Sequence, residues 1–103
     1  MLYIVSDRHK DQECPGRDPE IMKKMALTFS KSNLTKKNIK IIDGFVDHSC
    51  VLQTGRDHLC VFIIESDLPP LALSEIFKPI VVEVKPVIRW QGFESKIKQT
   101  KIA

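Results

Sequence analysis

The chain has no run approaching the ~20 apolar residues a membrane span needs. It has no glycine-rich phosphate loop, no serine in a nucleophile-elbow context and no internal repeat. Glycine is scarce at four residues, and tryptophan and tyrosine occur once each. These absences remove the membrane-spanning, P-loop and serine-hydrolase classes. The N-terminus, MLYIVSDRHK, lacks a basic start followed by a long apolar stretch, so no signal peptide is expected. Three cysteines do not pair evenly, and in an unexported chain they point to reduced thiols and a cytoplasmic setting.

What is present suits one soluble domain. At 103 residues, with 43% apolar and 28% charged side chains, the chain is long enough for a hydrophobic core. The net charge of +3 says less than its distribution. Residues 21–40 carry six lysines and no acid, whereas residues 41–83 carry two basic and seven acidic side chains. Residues 84–103 are again basic, with five cations against one acid. Basic blocks of this kind attract phosphate backbones, and solvated helix faces read the same way.

The longest apolar run, His58 to Ile64, places Leu59, Val61 and Ile63 on one face of a strand and Cys60, Phe62 and Ile64 on the other. A strand apolar on both faces is central in its sheet. Leu2 to Ser6 reads the same way. Phe45 to Gln53 is expected to be a strand joined to the central one by the loop Thr54-Gly55-Arg56-Asp57. Asp43-Gly44 is a second hairpin signal that would split off Ile39 to Ile42, or else Gly44 marks a bulge in one long strand. Asp18-Pro19-Glu20 starts a helix whose apolar arc is Ile21, Met22, Met25, Ala26 and Phe29 and which should run to about Asn33. A short helix through Phe77 follows Asp67, and Ile80 to Ile88 is the last strand, placed at an edge by Pro86.

The order is that of an α+β, ferredoxin-like split β-α-β (β-α-β-β-α-β), with a possible extra strand from the Asp43-Gly44 hairpin. Helices are expected on one face of a mostly antiparallel sheet. Residues 1–90 form the domain and 91–103 a basic C-terminal tail. The second sheet face must then be covered by the segment with Trp90 and Phe93, by a second copy or by a partner.

Three kinds of site follow. The first is a metal site on the repeated spacing His48-Ser49-Cys50 and His58-Leu59-Cys60, since zinc accepts two thiolates and two imidazoles. A two-residue turn on Gly55-Arg56 puts the two pairs on opposite faces, and a three-residue loop brings all four together. The second is acidic. Asp7 and Asp67 each end a strand, with Glu65 and His9 as helpers, and form a divalent-metal site only if β-strands 2–6 and 58–64 run parallel. Glu83-Val84-Lys85 after an apolar strand resembles half the motif of the PD-(D/E)XK nucleases. That resemblance, over about six residues, implies a metal-binding Glu83 and a Lys85 that stabilises the attacking water or transition-state charge, with Asp67 as the nearest preceding Asp for the other half. The third is nucleic-acid contact, by Lys23, Lys24, Lys31, Lys36, Lys37, Lys96, Lys98 and Lys101 on the backbone, or by Tyr3 and Phe62 stacking bases on the sheet.

The function expected from the sequence is a small non-enzymatic binding or regulatory module with no cofactor. It would act by protein–protein contact as a homodimer or with a partner, and its basic surface would touch nucleic acid. The alternatives are a divalent-metal nuclease or phosphodiesterase and a zinc-stabilised interaction domain.

Overall fold

The structure, a computed structural model, describes residues 1–100. It has four strands and five helices: β1 (Leu2–Lys10), α1 (Pro19–Thr28), α2 (Lys31–Lys36), β2 (Ile39–Phe45), α3 (His48–Leu52), β3 (Asp57–Ser66), α4 (Pro70–Ile76), β4 (Glu83–Val87) and α5 (Trp90–Gln99). Two 3₁₀ turns, Asp11–Glu13 and Pro15–Arg17, lead from β1 to α1. The sheet runs β2-β3-β1-β4 with every neighbouring pair antiparallel. The α+β class with an antiparallel sheet therefore holds. The two strands that read as apolar on both faces, β1 and β3, are the inner pair, and Pro86 lies on an edge strand opposite Tyr3. Among the described residues no helix is long and apolar enough to cross a membrane.

Capping decides where the helices break. Asp18 Oδ1 accepts from the backbone N–H of Glu20 at 2.9 Å and of Ile21 at 3.3 Å, and Pro19 takes the first helical position. The single helix expected to reach Asn33 is instead two. Ser30 caps α2 by accepting from Asn33 N–H at 3.3 Å, and the Asn33 side chain donates back to the Thr28 carbonyl at 2.9 Å. These local hydrogen bonds compete with the helical ladder and turn the chain.

Three further expectations fail in the middle of the chain. Phe45 to Gln53 is not a strand: β2 stops at Phe45 and residues 48–52 form α3. Asp47 causes the change. Its Oδ1 accepts from Ser49 N–H at 2.9 Å as the helix cap, and its Oδ2 accepts from Leu59 N–H at 3.0 Å, tying α3 to the start of β3. Those two backbone donors, Leu59 first, hold the Asp47 carboxyl below its ordinary range. Neither hairpin register around Gly55 exists. Nor does Asp43-Gly44 turn the chain; β2 is continuous with a bulge between Ile41 and Asp43.

Gly44 is required for a packing reason. A Cβ there would lie 2.7 Å and 2.9 Å from two ring carbons of Phe62, its partner on β3. Gly44→Ala is expected to destabilise the fold by about 1–3 kcal/mol through displacement of that ring, read as a lowered urea midpoint with unchanged slope.

Cross-strand pairing defines the inner sheet face: Tyr3 with Ile64, Val5 with Phe62, Asp7 with Cys60 and His9 with His58. One half of this face is the core, where Tyr3, Val5 and Ile64 meet Leu34 of α2, Leu73 of α4, Ile39 and Phe77. Phe29 bridges Phe62 and Phe77 at ring separations of 5.1 and 5.5 Å. The other half carries Asp7, His9, His58 and Cys60, and there the site is built. Tyr3 and Phe62 do share a face, but Tyr3 is buried and Phe62 is packed against the core, so neither offers a ring for base stacking.

Within the segment expected to be a basic tail, the described residues through Gln99 form α5. Trp90, Phe93 and Ile97 recur at helical spacing, and Glu94 pairs with Lys98 at 3.2 Å. Trp90 is 63% exposed and Phe93 45%, so α5 does not supply the expected cover for the outer sheet face. Lys101 lies outside the described residues.

Candidate metal centre

His9 and His58 face each other across β1 and β3, with ring centroids 5.1 Å apart. Each ring is oriented by the nitrogen that points away from its partner. His9 Nδ1 lies 2.9 Å from Asp7 Oδ2, two residues along the same strand face, which leaves Nε2 facing Cys50 Sγ at 3.7 Å. His58 Nε2 lies 2.7 Å from the Thr54 carbonyl oxygen and 3.1 Å from Asp11 Oδ1, which leaves Nδ1 facing Cys50 Sγ at 3.4 Å. In both rings the outer nitrogen faces an oxygen acceptor and the inner one faces the cluster, the arrangement that carboxylates and carbonyls impose on metal-ligating histidines.

Two thiols complete the cluster. Cys50 comes from the middle of α3, placed there by the Asp47 cap. Cys14 sits between the two 3₁₀ turns, where Cys14 N–H donates to the Asp11 carbonyl at 3.2 Å and Arg17 N–H donates to the Cys14 carbonyl at 3.0 Å. The Arg17 guanidinium locks this loop, donating to Asp11 Oδ2 at 2.8 Å and to the Gln53 carbonyl at 3.1 Å. The ligand-capable atoms of His9, Cys14, Cys50 and His58 all lie within 4.8 Å of one another. Zinc bonds of ~2.3 Å to sulfur and ~2.0–2.1 Å to nitrogen give tetrahedral edges of roughly 3.3–3.8 Å. The two Cys50–imidazole distances already fall in that range.

The electrostatics of the cluster are those of thiols sharing protons with imidazoles. Burial alone would raise Cys14, but a backbone hydrogen bond from Gly16 and side-chain hydrogen bonds from His58, His9 and Cys50 outweigh it and bring the thiol down to about 7. Burial, then the neighbouring Cys60 and Cys14, push Cys50 up to about 12. For His58 burial opposes the charged form, yet hydrogen bonds to Cys14 and to the Thr54 carbonyl, with the charges of Cys14 and Asp11, shift it upward.

The cluster overlaps only half of the set expected from sequence. Cys50 and His58 belong to it. His48 is exposed on α3, turned away because a helix, unlike a strand, does not place residues 48 and 50 on one face. Cys60 Sγ is 3.8 Å from Cys50 Sγ but lies outside the group of four. His9 and Cys14 take their places. The spacings His9-x₄-Cys14 and Cys50-x₇-His58 were the available signal, and only the β1–β3 register joins them.

The acidic sites do not assemble. β1 and β3 are antiparallel, so Asp7, opposite Cys60, is seven residues of strand from Asp67, about 23 Å at ~3.3 Å per residue. Asp67 is fully exposed beside the N-terminal amine, 3.8 Å away, while Asp7 is held by His9. Glu65 is exposed at the Asp67 end of β3, far from His9. Glu83 and Lys85 pair with each other at 3.1 Å on the outer face, whereas Asp7 lies on the inner one. The half-motif therefore lacks its second acid.

Lys23 and Lys24 on α1, Lys31 and Lys36 on α2, Lys37 beyond it, and Lys96 and Lys98 on α5 are all exposed. A cleft that includes Lys31, with Lys40, has Glu65 and Asp67 among its lining residues and so is of mixed charge.

Fold and site together define a small α+β domain with a two-cysteine, two-histidine cluster at one end of its sheet. No family model, curated protein or solved structure matches the chain.

Proposed function

We propose that this chain is a zinc-stabilised α+β interaction domain whose ion is held by His9, Cys14, Cys50 and His58. The observation that carries the reading is the convergence of four donors from four separate segments, both imidazoles having their outer nitrogens engaged. Two thiolates and two neutral imidazoles suit tetrahedral zinc and neutralise its charge.

The role is structural. The 3₁₀ turns bury no residue of their own, α3 buries none, and the core lies in the other half of the sheet. Outside the core cluster the buried apolar side chains described are Cys14 and Ile80, so this end of the domain has few apolar anchors. A metal bond supplies one, as in small domains that fold around zinc. Reduced thiols fit the cytoplasmic setting expected for the chain.

The finer ferredoxin-like assignment belongs to the same proposal. Alternating strand directions and an inner β1–β3 pair support it, while α3 between β2 and β3 departs from it. The partner reading, whether homodimer or heterologous contact, is supported by the apolar side chains Leu59, Val61 and Ile63 on the outer face and by the exposed Trp90, Phe93 and Ile97 stripe. Contact with nucleic acid has only the exposed lysines in its favour.

Zinc titration of the reduced, metal-free chain tests the proposal. Native mass spectrometry should show one ion per chain, and cobalt should give the absorption of a tetrahedral thiolate site. Because the Cys50 thiol, pushed up to about 12, holds a proton that a metal displaces, binding at pH 7 should release at least one proton per zinc, and affinity should rise with pH. A chain that stays metal-free with equimolar zinc, or takes it up without proton release, would refute the assignment.

A further inference from the structure

Beside the metal cluster lies a cavity of about 480 Å³, between the inner sheet face and helix α1. Its size is that of a small-molecule site, for which ~300–1,000 Å³ is usual. The apolar arc of α1 does not close on the sheet. The helix contains no buried residue, Met22 is 46% exposed, and Met22, Met25 and Phe29 line the cavity opposite Val5, Phe62 and Val82. Phe29 meets Phe62 at one end, but the methionine side of the helix stands off the sheet, and methionine walls adapt to varied shapes.

The remaining wall specifies what fits. Asp7, His9, Cys14, Cys50 and Cys60 line it, so the carboxylate there is Asp7, held by His9, and the lining holds no lysine or arginine to attract an anionic ligand. Bound zinc cancels the two ligand thiolates and leaves Asp7 negative. Gln53 also lines the cavity; its Nε2 donates to the Cys50 carbonyl, while its Oε1 is buried without a hydrogen-bond donor. A buried acceptor left unpaired is costly, and a ligand hydroxyl or amide N–H would satisfy it.

We infer that this cavity is a binding site for an uncharged small molecule with an apolar body and one hydrogen-bond donor, seated between α1 and the sheet with its donor on Gln53. The inference goes beyond the zinc reading and rests on it only for the charge of one wall.

Isothermal titration of straight-chain 1-alkanols into the zinc-loaded chain tests it, with the corresponding carboxylates and methyl ethers as controls. Affinity should rise about fourfold per methylene until the cavity is full and then level off. The methyl ethers, which have no donor, should bind about tenfold more weakly. The carboxylates should bind more weakly than the alkanols of the same length. Val82→Trp should abolish alkanol binding; Met25→Trp, on the exposed helix, fills the same space if the first variant does not fold. Alkanols that fail to bind at any length, or that bind the folded filled variants equally well, overturn the inference. Zinc bound one to one without alkanol binding sinks this inference alone. Alkanol binding that the filled variants abolish in a chain taking no zinc sustains it and sinks the zinc reading.

Discussion

Alanine at any one of His9, Cys14, Cys50 or His58 is expected to abolish stoichiometric zinc binding, while His48→Ala leaves it intact. The contrast is sharp because the two candidate sets share only Cys50 and His58. Loss of one of four bonds removes a quarter of the coordination sphere and leaves the partners close together and unpaired, so affinity should fall by more than the roughly 10–100-fold that loss of an outer hydrogen-bonding group costs. Asp7→Asn, which weakens the hold on His9 without removing a ligand, should fall within that smaller range. Cys60→Ser should retain the ion, since its sulfur touches Cys50 but stands outside the four. Competition against a chromogenic chelator measures all of these. Zinc retained by His9→Ala and lost by His48→Ala would return the site to the repeated His-x-Cys spacing and overturn the geometry described here.

Phe77→Ala should cost about 3–5 kcal/mol. Phe77 is among the largest fully buried side chains, and it closes the core where Phe29, Leu73 and Ile64 meet. A domain of this length commonly has about 5–15 kcal/mol of stability, so the variant should be marginal at room temperature. Trp90→Ala, although it removes a larger ring, should change stability by no more than about 0.5 kcal/mol, because that ring is 63% exposed on α5. Urea denaturation of the two variants separates core from surface. A Phe77→Ala loss below about 1 kcal/mol would mean that the core is not where α4 meets the sheet.

The strands of this fold were legible where apolar alternation was strong. Leu2–Ser6 and His58–Ile64 both read as inner strands because both of their faces are apolar, and Pro86 marked an edge because it lacks a backbone donor. Asp18-Pro19 marked the start of α1 because its capping is local. The segment from Val46 to Gln53 was not legible. Its composition suits a strand, but one carboxylate, Asp47, bonds both to its own helix and to Leu59, twelve residues away. A contact of that separation has no signature in a local window.

The candidate site divides in the same way. The sequence by itself determined that thiols and imidazoles were available in a metal-compatible number, and that His58 and Cys50 stood near one another in the chain. Only the tertiary structure decided which four converge. The antiparallel β1–β3 register sets His9 opposite His58, and the Arg17-locked loop carries Cys14 in beside them. Turning residues 48–52 into a helix keeps Cys50 and ejects His48. Spacing along a chain constrains which side chains share a face of one element, whereas coordination joins faces of different elements, and those meet only when the sheet has formed.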